Sequence, residues 1–475
     1  MRIDQHPILT FDRQEAFTIT CDGTPVKAYS GETVAAALHA GGIRALSRSL
    51  RYHRARGFFC AIGKCSSCMM EVNGVPNVKT CMVLAEPGMT VKTQTGRGIL
   101  KQTGNRLKDP SYEIQELETD IAVVGGGPAG LSAALYASKF GARVMVFDEN
   151  PHIGGQLIKQ THMFFGSREH YAKVRGIDIS QKLIESMSDL VKLYPATPVI
   201  GFYPPFELAV LKDSRLTRVK AKKIIVATGA SENMLVFPNN DLPGVYGAGA
   251  VQTLMNCHGI LPGKTVLMIG AGNIGVIVSY QLLQAGVQVA AVVEAQPVIG
   301  AYQVHASKIR RCGVPILTRH SIQKAWGKDH VEGATIVRLD DRWKAVPGSE
   351  QDLNVDTICL AVGLSPSSEI FALAGCRMSY IPELGGEVPW RDANMMTSVE
   401  GLYVAGDVAG IEEASSAMLE GRLAGLDAVE KIKGADSDIE QLKKETRGML
   451  HALREGPFGD KVRIGITKLA EENNS

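Results

Sequence analysis

Residues 119–130, Thr-Asp-Ile-Ala-Val-Val-Gly-Gly-Gly-Pro-Ala-Gly, decide the fold of the body of this chain. An apolar strand over residues 119–124 runs into a G-x-G-x-x-G loop, and an Ala- and Leu-rich helix follows. Gly125 permits the tight turn, Gly127 lets a pyrophosphate approach the backbone, and Gly130 allows the helix to pack closely on the strand. Strand, loop and helix together predict a βαβ unit that binds a dinucleotide.

Acidic residues follow at the end of the next predicted strand, which covers residues 143–147. Asp148 and Glu149 come directly after it, roughly 20 residues past the glycines. A carboxylate at this point accepts hydrogen bonds from ribose hydroxyls and disfavours a 2′-phosphate. We therefore include these two acids among the candidate cofactor contacts, together with Pro128 and Ala129 of the loop.

The same pattern recurs farther along the chain as Val-Leu-Met-Ile-Gly270-Ala-Gly272-Asn-Ile-Gly275, and the strand over residues 287–293 ends at Glu294. Two dinucleotide-binding βαβ units are therefore predicted. Two further apolar strands end in glycine, and each is expected to complete the sheet of one unit. One of them ends in the candidate cofactor contacts Ala227, Thr228 and Gly229, and the other covers residues 358–363.

A four-cysteine pattern precedes these units. Cys60, Cys65 and Cys68 lie on one loop, and Cys81 follows a predicted hairpin at Asn73-Gly74, which gives the spacing C-x4-C-x2-C…C. Three thiolates on one tight loop with this spacing match plant-type [2Fe-2S] binding, whereas zinc prefers paired CxxC knuckles. The pattern predicts a [2Fe-2S] cluster held by these four cysteines, with structural zinc as the alternative.

The segments that flank the cysteine loop also have recognisable patterns. Residues 17–29 alternate apolar and polar side chains around Asp22-Gly23 and predict a β-hairpin, after which Ser30 is expected to cap a helix over residues 33–40. Five arginines lie before the loop and predict either a docking site for an acidic partner or a solvated basic face that offsets the cluster's charge. They are Arg44, Arg48, Arg51, Arg54 and Arg56.

Composition excludes several classes of protein. Lys and Arg number 51 against 49 Asp and Glu, and this balance argues against a nucleic-acid binder. The early Asp4 and Pro7 do not fit an export signal, and nine scattered cysteines do not fit a disulfide framework, so we expect a cytoplasmic protein. Residues 265–293 carry no charge, but their glycines, Asn and Gln predict a buried strand-helix-strand and no membrane span.

Two short segments resemble flavin-binding motifs. Gly401-Leu-Tyr-Val-Ala-Gly406-Asp407 is similar to the return motif of two-dinucleotide flavoproteins, in which the Asp contacts the flavin ribityl chain. Gly154-Gly155-Gln156 resembles the flavin-contacting turn of such enzymes. This resemblance implies FAD in the first site. The redox-active CxxC or CxxxxC of disulfide reductases is missing, because the remaining cysteines of the body are isolated: Cys257, Cys312, Cys359 and Cys376.

The cysteine loop joined to this body resembles the α subunits of heteromeric amine dehydrogenases, over residues 1 to about 435. That family includes proline, hydroxyproline, sarcosine and opine dehydrogenases or oxidases, and hydrogen cyanide synthase. The resemblance implies a β subunit, similar to amino-acid oxidases, whose flavin takes hydride from an amino acid or secondary amine. The α subunit would then pass electrons through the [2Fe-2S] cluster to an acceptor, and an acceptor in the membrane would place the complex at its periphery.

The same resemblance bears on the other cofactors. It implies ATP or NAD as alternatives to FAD in the first site, and FMN at an interface between subunits. Many relatives have an additional cysteine-rich [2Fe-2S] segment after the Gly-Asp motif, but no cysteine follows Cys376 here. A second cluster would therefore lie on a small additional [2Fe-2S] protein of the complex or be absent.

Taken together, the patterns predict an α/β chain with an α+β ferredoxin-like domain and two Rossmann-like, three-layer domains arranged as in disulfide reductases. The predicted parts are a [2Fe-2S] domain (1–98), a linker (99–118), an FAD-type domain (119–258 and 379–435), an inserted NAD-type domain (259–378) and a polar C-terminal extension (436–475) with a helix from Asp436 and a loose tail.

The alternative function is a stand-alone NAD(P)H-dependent reductase. In that case the second glycine loop would bind the nicotinamide cofactor, and electrons would pass through FAD to the cluster. Glu294 would favour NADH by repelling a 2′-phosphate. The same glutamate also fits a vestigial domain that only maintains the fold.

Overall fold

The structure, a computed structural model, describes residues 1–99, 114–164, 169, 171–213, 215–456 and 459–472. These residues form two compact units. One unit consists of the described residues within 1–108 and 232–363, and the other of those within 109–231 and 364–475. The α/β fold class is confirmed.

The N-terminal part of the first unit is built on a five-stranded sheet with one short helix and a separate two-stranded hairpin. The sheet has the order β2-β1-β7-β5-β6, and β3 pairs with β4. The elements are β1 (Ala16–Cys21), β2 (Thr24–Tyr29), α1 (Val34–Ala40), β3 (Ser47–Arg48), β4 (Ala55–Arg56), β5 (Met69–Val72), β6 (Val75–Lys79) and β7 (Thr90–Thr93).

Both predicted hairpins are present in this sheet. Strands β1 and β2 pair antiparallel across Asp22-Gly23, and β5 and β6 pair across Asn73-Gly74. The prediction for the cap of α1 was wrong. Thr33, not Ser30, is the N-cap, because the Thr33 hydroxyl accepts a hydrogen bond from the Ala36 N–H at 3.3 Å.

The second unit begins with a βαβ unit and an antiparallel extension. Its seven-stranded sheet has the order β10-β9-β8-β13-β12-β11, and a later strand, β26 (Leu402–Val404), also pairs with β13. The elements in this part are β8 (Gln115–Val124), α2 (Pro128–Lys139), β9 (Val144–Phe147), α3 (Gly176–Glu185), β10 (Val191–Tyr194), β11 (Val199–Tyr203), β12 (Glu207–Lys212), β13 (Arg215–Val226) and β14 (Ala230–Glu232).

The chain then returns to the first unit and forms the inserted domain. A parallel sheet has the order β15-β22-β16-β17-β18, and β19, β20 and β21 form an antiparallel meander. The elements are β15 (Val245–Gly247), α4 (Ala248–Gln252), β16 (Thr265–Ile269), α5 (Asn273–Gln284), β17 (Gln288–Glu294), α6 (Gln303–Arg311), β18 (Ile316–Thr318), β19 (His320–Trp326), β20 (Gly333–Arg338), β21 (Gln351–Leu353) and β22 (Thr357–Leu360).

The last part belongs to the second unit and is mainly helical. Its elements are β23 (Leu364–Pro366), α7 (Glu369–Leu373), β24 (Met378–Ile381), β25 (Gly386–Pro389), β26, α8 (Ala414–Lys433), α9 (Ser437–Arg454) and α10 (Asp460–Glu471). Asp436 is the N-cap of α9, as the sequence predicted. In place of a loose tail, α10 buries Val462 and Leu469 with Leu384 in a small apolar cluster.

The units divide the chain at different points from the predicted domains. Residues 232–258 lie in the first unit because β15 pairs with β22 in the inserted sheet. Phe371 lies in the second unit because it packs into the core of that unit. Much of the predicted linker 99–118 is outside the described residues, and its last four residues form the start of β8. None of the described helices is long and apolar enough to cross a membrane.

Candidate cofactor sites

The first glycine loop joins β8 to α2 in the second unit. Gly125 has φ +105°, and a Cβ there would lie 2.2 Å from the Ala227 carbonyl oxygen. A Cβ on Gly130 would lie 1.9 Å from the Gly125 carbonyl oxygen. Gly127 is different, because a Cβ would meet only the Gly155 Cα, at 3.8 Å. The first and last glycines are therefore required by packing, and the middle one leaves space at the helix N-terminus.

The carboxylate after β9 is fixed against this loop. Asp148 is buried, and its Oδ2 accepts a hydrogen bond from the Gly126 N–H at 2.7 Å. Its Oδ1 accepts from the backbone N–H and the side-chain Nδ2 of Asn150. Glu149 is exposed. The structure therefore places Asp148 at the glycine loop, where the sequence predicted a ribose contact.

The Gly-Gly-Gln turn also lies beside the loop. The Gly154 N–H donates to the Gly126 carbonyl oxygen at 2.8 Å. Gly155 has φ +56°, and a Cβ there would approach the Gly127 Cα to 2.7 Å. Gln156 is exposed in the short 3-10 helix that follows. This turn is therefore held next to the helix N-terminus of the candidate nucleotide site.

The Gly406-Asp407 return motif, which follows β26, also contacts the start of α2. Gly406 has φ +79°, and a Cβ there would lie 2.9 Å from the Ala129 Cβ, beside Pro128 at the start of α2. Burial, with the carboxylates of Glu420 and Glu412, raises the pKa of Asp407 to about 7, although the Glu412 backbone N–H donates to it. The structure thus brings both resemblance-based motifs to one glycine loop.

The end of β13 completes this set. Ala227 is buried, and its N–H donates to the Val124 carbonyl oxygen at 2.7 Å. The Thr228 hydroxyl donates to the Ser367 carbonyl oxygen, and the Ser367 N–H donates to the Gly229 carbonyl oxygen. These residues line the carboxyl edge of the parallel strands, which is where open α/β sheets bind their ligands.

A buried charge cluster behind the return motif was missed in the sequence. Glu420 of α8 accepts a hydrogen bond from the Gly406 N–H at 2.9 Å through Oε2. Its Oε1 lies 2.7 Å from the Arg454 Nη2 and 3.9 Å from the Arg391 Nη2. Arg454 also pairs with Glu412. No sequence spacing signals this cluster, because its members lie on separate elements.

A second missed feature is the contact between α2 and α8. A Cβ on Gly421 would lie 2.0 Å from the Ala129 carbonyl oxygen, and a Cβ on Gly425 would lie 2.4 Å from the Ala133 carbonyl oxygen. The two glycines let α8 lie directly on the helix that follows the nucleotide loop. A signal was present, since the G-x-x-x-G spacing places small residues one turn apart on one helix face.

The second glycine loop, in the first unit, repeats the geometry of the first. A Cβ on Gly270 would lie 2.2 Å from the Ala361 carbonyl oxygen, and one on Gly275 would lie 2.0 Å from the Gly270 carbonyl oxygen. The Ala271 N–H donates to the Glu294 Oε2 at 2.8 Å, as the Gly126 N–H does to Asp148. Gly272 has open space around it.

One difference separates the two loops. The first residue of α5 is Asn273, and its Oδ1 accepts a hydrogen bond from the Tyr302 N–H at 2.9 Å. In the first loop this position is Pro128, which has no side-chain acceptor. The segment before α6 is therefore tied to the start of α5, in addition to the backbone bond from the Ala301 N–H to the Ala271 carbonyl oxygen.

The four predicted cluster ligands are gathered in the N-terminal part of the first unit. Cys60, Cys68 and Cys81 are buried, and Cys65 is half-buried. The Cys65 N–H donates to the Cys60 Sγ at 3.4 Å. The Thr80 hydroxyl donates to the Cys68 carbonyl oxygen at 2.6 Å, which holds the two ends of the site together.

The thiols are close enough to exchange hydrogen bonds. Those from Cys65 and Cys81 lower the pKa of Cys60 to about 2, and the same bonds raise the pKa of Cys65 and of Cys81. A hydrogen bond from Cys81 also lowers the pKa of Cys68. Thiol hydrogen bonds therefore link the four cysteines in the order Cys65, Cys60, Cys81 and Cys68, and this all-thiolate donor set is the one that a [2Fe-2S] cluster uses.

The cluster loop takes a tightly turned path. Ala61, Gly63 and Ser66 all have positive φ, at 56°, 70° and 60°. Glycine adopts this left-handed conformation freely, whereas Ala61 and Ser66 are held in it by the loop, and successive turns of this kind direct backbone N–H groups inward. The loop is also fixed to its surroundings, because the Ser47 hydroxyl donates to the Ser67 carbonyl oxygen at 2.9 Å.

The five arginines before the loop divide into two groups. Arg54 and Arg56 pair with Asp241 at 2.7 and 2.9 Å, and Arg44 pairs with Asp356 at 3.5 Å. These three join the N-terminal part to the inserted domain within the first unit. Arg48 and Arg51 are exposed. The predicted basic face is therefore smaller than the sequence alone indicated.

Comparison with known proteins decides the family. The family model described as pyridine nucleotide-disulphide oxidoreductase matches residues 119–421. The chain belongs to this family. A second family model, described as a 2Fe-2S iron-sulfur cluster binding domain, matches residues 14–96 of the same chain. The two matched regions correspond to the two parts that the cysteine and glycine patterns predicted.

Curated relatives confirm the predicted resemblance to α subunits. The chain is 27% identical over 444 residues to the alpha subunit of sarcosine oxidase from Corynebacterium sp. (strain P-1), covering 89% of this chain and 44% of that protein. It is 30% identical over 339 residues to the A subunit of opine oxidase from Agrobacterium tumefaciens (strain Ach5), covering 66% of each. It therefore spans less than half the length of the sarcosine oxidase relative.

A solved structure agrees with the fold of this family member. The L-proline dehydrogenase of P. horikoshii superimposes with a TM-score of 0.73 at 24% identity, covering 94% of this chain and 79% of that chain. The two matched domains support sites for a [2Fe-2S] cluster and FAD. When bound, FAD exchanges two electrons and the cluster exchanges one.

Proposed function

We propose that this chain is the electron-transfer α subunit of a heteromeric flavin-dependent dehydrogenase or oxidase. Its substrates would be amino acids or secondary amines of the proline, hydroxyproline, sarcosine, opine or glycine type. A partner-subunit flavin would take hydride from the amine. This chain would accept the electrons and pass them singly, through the [2Fe-2S] cluster, to an acceptor.

The arrangement of the cysteines carries this proposal. Hydrogen bonds link the thiols of Cys60, Cys65, Cys68 and Cys81, whereas the other five cysteines lie on separate elements and, within the described residues, form no disulfide. In a member of the disulphide oxidoreductase family, a redox-active cysteine pair would accept electrons from the flavin. The described part of this chain has no such pair beside its glycine loops. The cluster loop supplies a different route, which transfers one electron at a time.

The same geometry supports roles for the first glycine loop. We propose that Gly127 and the N-terminus of α2 bind the pyrophosphate, and that Asp148 accepts the adenosine ribose hydroxyls. Gly155 and Asp407 would lie along the rest of the dinucleotide. An acid at position 148 fits the ribose of FAD, NAD or ATP, and mass spectrometry of the released nucleotide identifies which of them is bound.

Names of relatives supply the proposed partners and substrates. The sarcosine oxidase and opine oxidase relatives are named as subunits, which implies other chains in their assemblies. We propose a β subunit similar to amino-acid oxidases, FMN at its interface with this chain, and, if a second cluster exists, a small separate [2Fe-2S] subunit. Scattered cysteines that form no disulfide in the described part of the chain support a cytoplasmic location for the assembly.

The second glycine loop favours an alternative, a stand-alone NAD(P)H-dependent reductase. Its turn, its helix start and its bond from the Ala271 N–H to Glu294 are all formed as in the first loop. A loop that had only a structural role would not need open space at Gly272. NADH bound here would be the electron donor, and no amine-oxidising partner would be required.

One anaerobic experiment separates the two functions. The purified chain, alone and co-expressed with an amino-acid-oxidase-like partner, is mixed with NADH or with proline, sarcosine and opines while its visible spectrum is recorded. We expect no bleaching by NADH, and bleaching by one amine only when the partner is present. Rapid bleaching of the chain alone by NADH would establish the reductase and reject the α-subunit proposal.

A variant places the cluster within this route. Cys81→Ser in the co-expressed assembly should still allow the amine to reduce the partner flavin. Transfer to a one-electron acceptor should fall to background. The matched control is Cys312→Ser, since Cys312 is exposed and lies outside the cluster loop. Unchanged acceptor reduction in the Cys81 variant would show that electrons bypass the cluster.

A further inference from the structure

An open cavity of about 690 Å³ lies beside the cluster loop in the first unit. It is lined by side chains from the loop, from the hairpin of β3 and β4, and from the segment after β7. Its lining includes Arg48, Leu50, Arg56, Cys65 and Arg97. The described lining has three arginines and no acid.

The cavity opens at the most accessible part of the cluster site. Of the four cysteines, Cys65 alone is half-buried, and Cys65 is also the one that lines the cavity. Electron transfer between proteins is fastest through the cofactor edge nearest to the surface. An electron leaving a cluster bound by these cysteines therefore has its shortest route to solvent at Cys65.

Arg48 and Arg97 line this opening, and Arg51 follows Leu50 in the turn of the β3–β4 hairpin. Arg48, Arg51 and Arg97 are exposed, and within the described part of the chain none of them forms an ion pair. Arg56 also lines the cavity, but it pairs with Asp241, a carboxylate that it shares with Arg54. The net charge of the whole chain is only +2, so this is a local concentration of positive charge and not a general property of the surface.

Large apolar side chains stand among these charges. Leu50 is 57% exposed and Tyr52 is 67% exposed, both at the tip of the hairpin of β3 and β4. The Arg51 guanidinium lies 5.2 Å from the centre of the Tyr52 ring. The hairpin is anchored by bonds from the Ser49 N–H to the Arg54 carbonyl oxygen and from the Ser47 hydroxyl to the cluster loop.

We propose that this face docks an acidic protein that carries one electron at a time. We name it the cluster face and define it by Arg48, Leu50, Arg51, Tyr52 and Arg97. Tyr, Leu and Arg together form the centre of many transient interfaces, and unpaired arginines select an acidic partner. A small anion could use the arginines, but it would not use Leu50 and Tyr52.

The transfer step is balanced without a proton. A reduced cluster loses one electron and returns to its oxidised form, and the redox centre of the docked carrier gains that electron. No bond forms or breaks. The inference rests on the proposed function only in assuming that the cluster passes electrons onward.

The experiment uses the full chain with its cluster, reduced by dithionite and freed of excess reductant. Stopped-flow mixing with plastocyanin, an acidic one-electron acceptor, gives the second-order rate constant. Cytochrome c, which is basic, and ferricyanide, a small anion, are the comparison acceptors. Because dithionite supplies the electrons, the result is independent of whether any amine is oxidised, which the co-expression experiment tests.

Two variants and one control test the cluster face. The charge variant combines Arg48→Gln, Arg51→Gln and Arg97→Gln, and the apolar variant combines Leu50→Ser and Tyr52→Ser. The control removes three exposed cations elsewhere in the same unit through Arg310→Gln, Arg311→Gln and Lys324→Gln. Each protein must retain the visible spectrum of the cluster before its rates are compared.

We expect the charge variant to slow electron transfer to plastocyanin about tenfold at low ionic strength and to flatten its salt dependence. Transfer to cytochrome c should not slow. The apolar variant should slow electron transfer to plastocyanin but not to ferricyanide. Equal rates for the charge variant and the control would overturn the proposal. A second result would also overturn it: the apolar variant transfers electrons to plastocyanin at the wild-type rate, while the charge variant is slower with both plastocyanin and ferricyanide. The cluster face would then attract any anion and would not dock a protein.

Discussion

The Arg454 guanidinium lies 2.7 Å from Glu420, whose other carboxylate oxygen accepts a hydrogen bond from the Gly406 N–H. Arg454 is the last residue of α9, and Gly406 begins the Gly-Asp motif of the first nucleotide site. The C-terminal extension, which the sequence predicted as a polar helix with a loose tail, therefore contacts the cofactor motif through one buried carboxylate. Arg454 is a positioning residue for that motif.

Removing this guanidinium should weaken both the fold and the site. In Arg454→Met, Glu412 and Glu420 stay buried without their closest cation, and loss of one partner of a buried ion pair costs about 3–5 kcal/mol. We expect a lower unfolding midpoint and less bound nucleotide per chain. Denaturant unfolding and mass spectrometry of the released nucleotide measure the two effects.

The matched control is Arg463→Met in α10. Arg463 pairs with Asp460 and also donates to the backbone carbonyl oxygens of Arg454 and Gly456. Both side chains of the ion pair are about half exposed, and exposed pairs contribute about 0–1 kcal/mol. This variant should retain its nucleotide. If both variants lose stability and nucleotide equally, the effect of Arg454 belongs to the helical extension in general and not to the link with Glu420.

The pH dependence of the free energy of unfolding should reveal the ionisation of Asp407. Its pKa is raised to about 7 by burial and by nearby carboxylates, from 3.8. Between about pH 4 and pH 7 the folded chain keeps a proton that the unfolded chain loses, so stability falls as the pH rises through this window and then levels off. At about 1.4 kcal/mol per pH unit, the total loss is at most about 4 kcal/mol.

Asp407→Asn should reduce that fall, because the amide has no proton to lose, and the remaining fall belongs to Glu420, whose pKa is also raised by burial. Denaturant unfolding of the nucleotide-free chain from pH 4 to pH 8 measures it. The control Asp178→Asn replaces an exposed carboxylate at the start of α3 and should keep the wild-type profile. Parallel profiles for wild type and Asp407→Asn would mean that this carboxyl group is already ionised throughout the window.

Much of each site could be predicted because its chemistry is local in sequence. Gly125, Gly127 and Gly130 lie within six residues, and three of the four cysteines lie on one loop. Such spacing fixes a turn or a ligand set wherever the rest of the chain goes. The strands and helix around each glycine loop followed from the same patterns.

What the sequence did not reveal depends on contacts between distant elements. Glu420 and Arg454 lie 34 residues apart on different helices, so no periodicity links them. The pairing of β15 with β22 was also not visible in the sequence, because β15 has only three residues and the next helix only five. Elements this short carry too few residues for an apolar period to be recognised.

The close contact between α2 and α8 predicts a sharp difference between two helix glycines. Gly421→Ala would place a methyl group 2.0 Å from the Ala129 carbonyl oxygen, and overpacking of this kind costs about 1–3 kcal/mol. Gly448→Ala in α9 meets nothing within 4 Å, so helix propensity should raise stability by up to about 1 kcal/mol.

Thermal unfolding and nucleotide content measure this pair of variants. We expect Gly421→Ala to unfold earlier and to release nucleotide, since Ala129 belongs to the glycine loop. Gly448→Ala should match or exceed the wild type in both measurements. Equal midpoints for the two variants would show that α8 can move away from α2 without loss, and that the contact does not constrain the nucleotide site.

The four-cysteine site predicts which thiols hold iron. Replacing Cys60, Cys65, Cys68 or Cys81 singly by Ser should remove the visible and EPR signals of the cluster, because each supplies one of four thiolates. Cys312→Ser should retain full iron and sulfide content, and nucleotide in the second unit should remain in every variant. Iron, zinc and acid-labile sulfide are measured per chain. Zinc without sulfide in the wild type would replace the [2Fe-2S] assignment with a structural metal site, and the electron route proposed for this chain would lose its one-electron step.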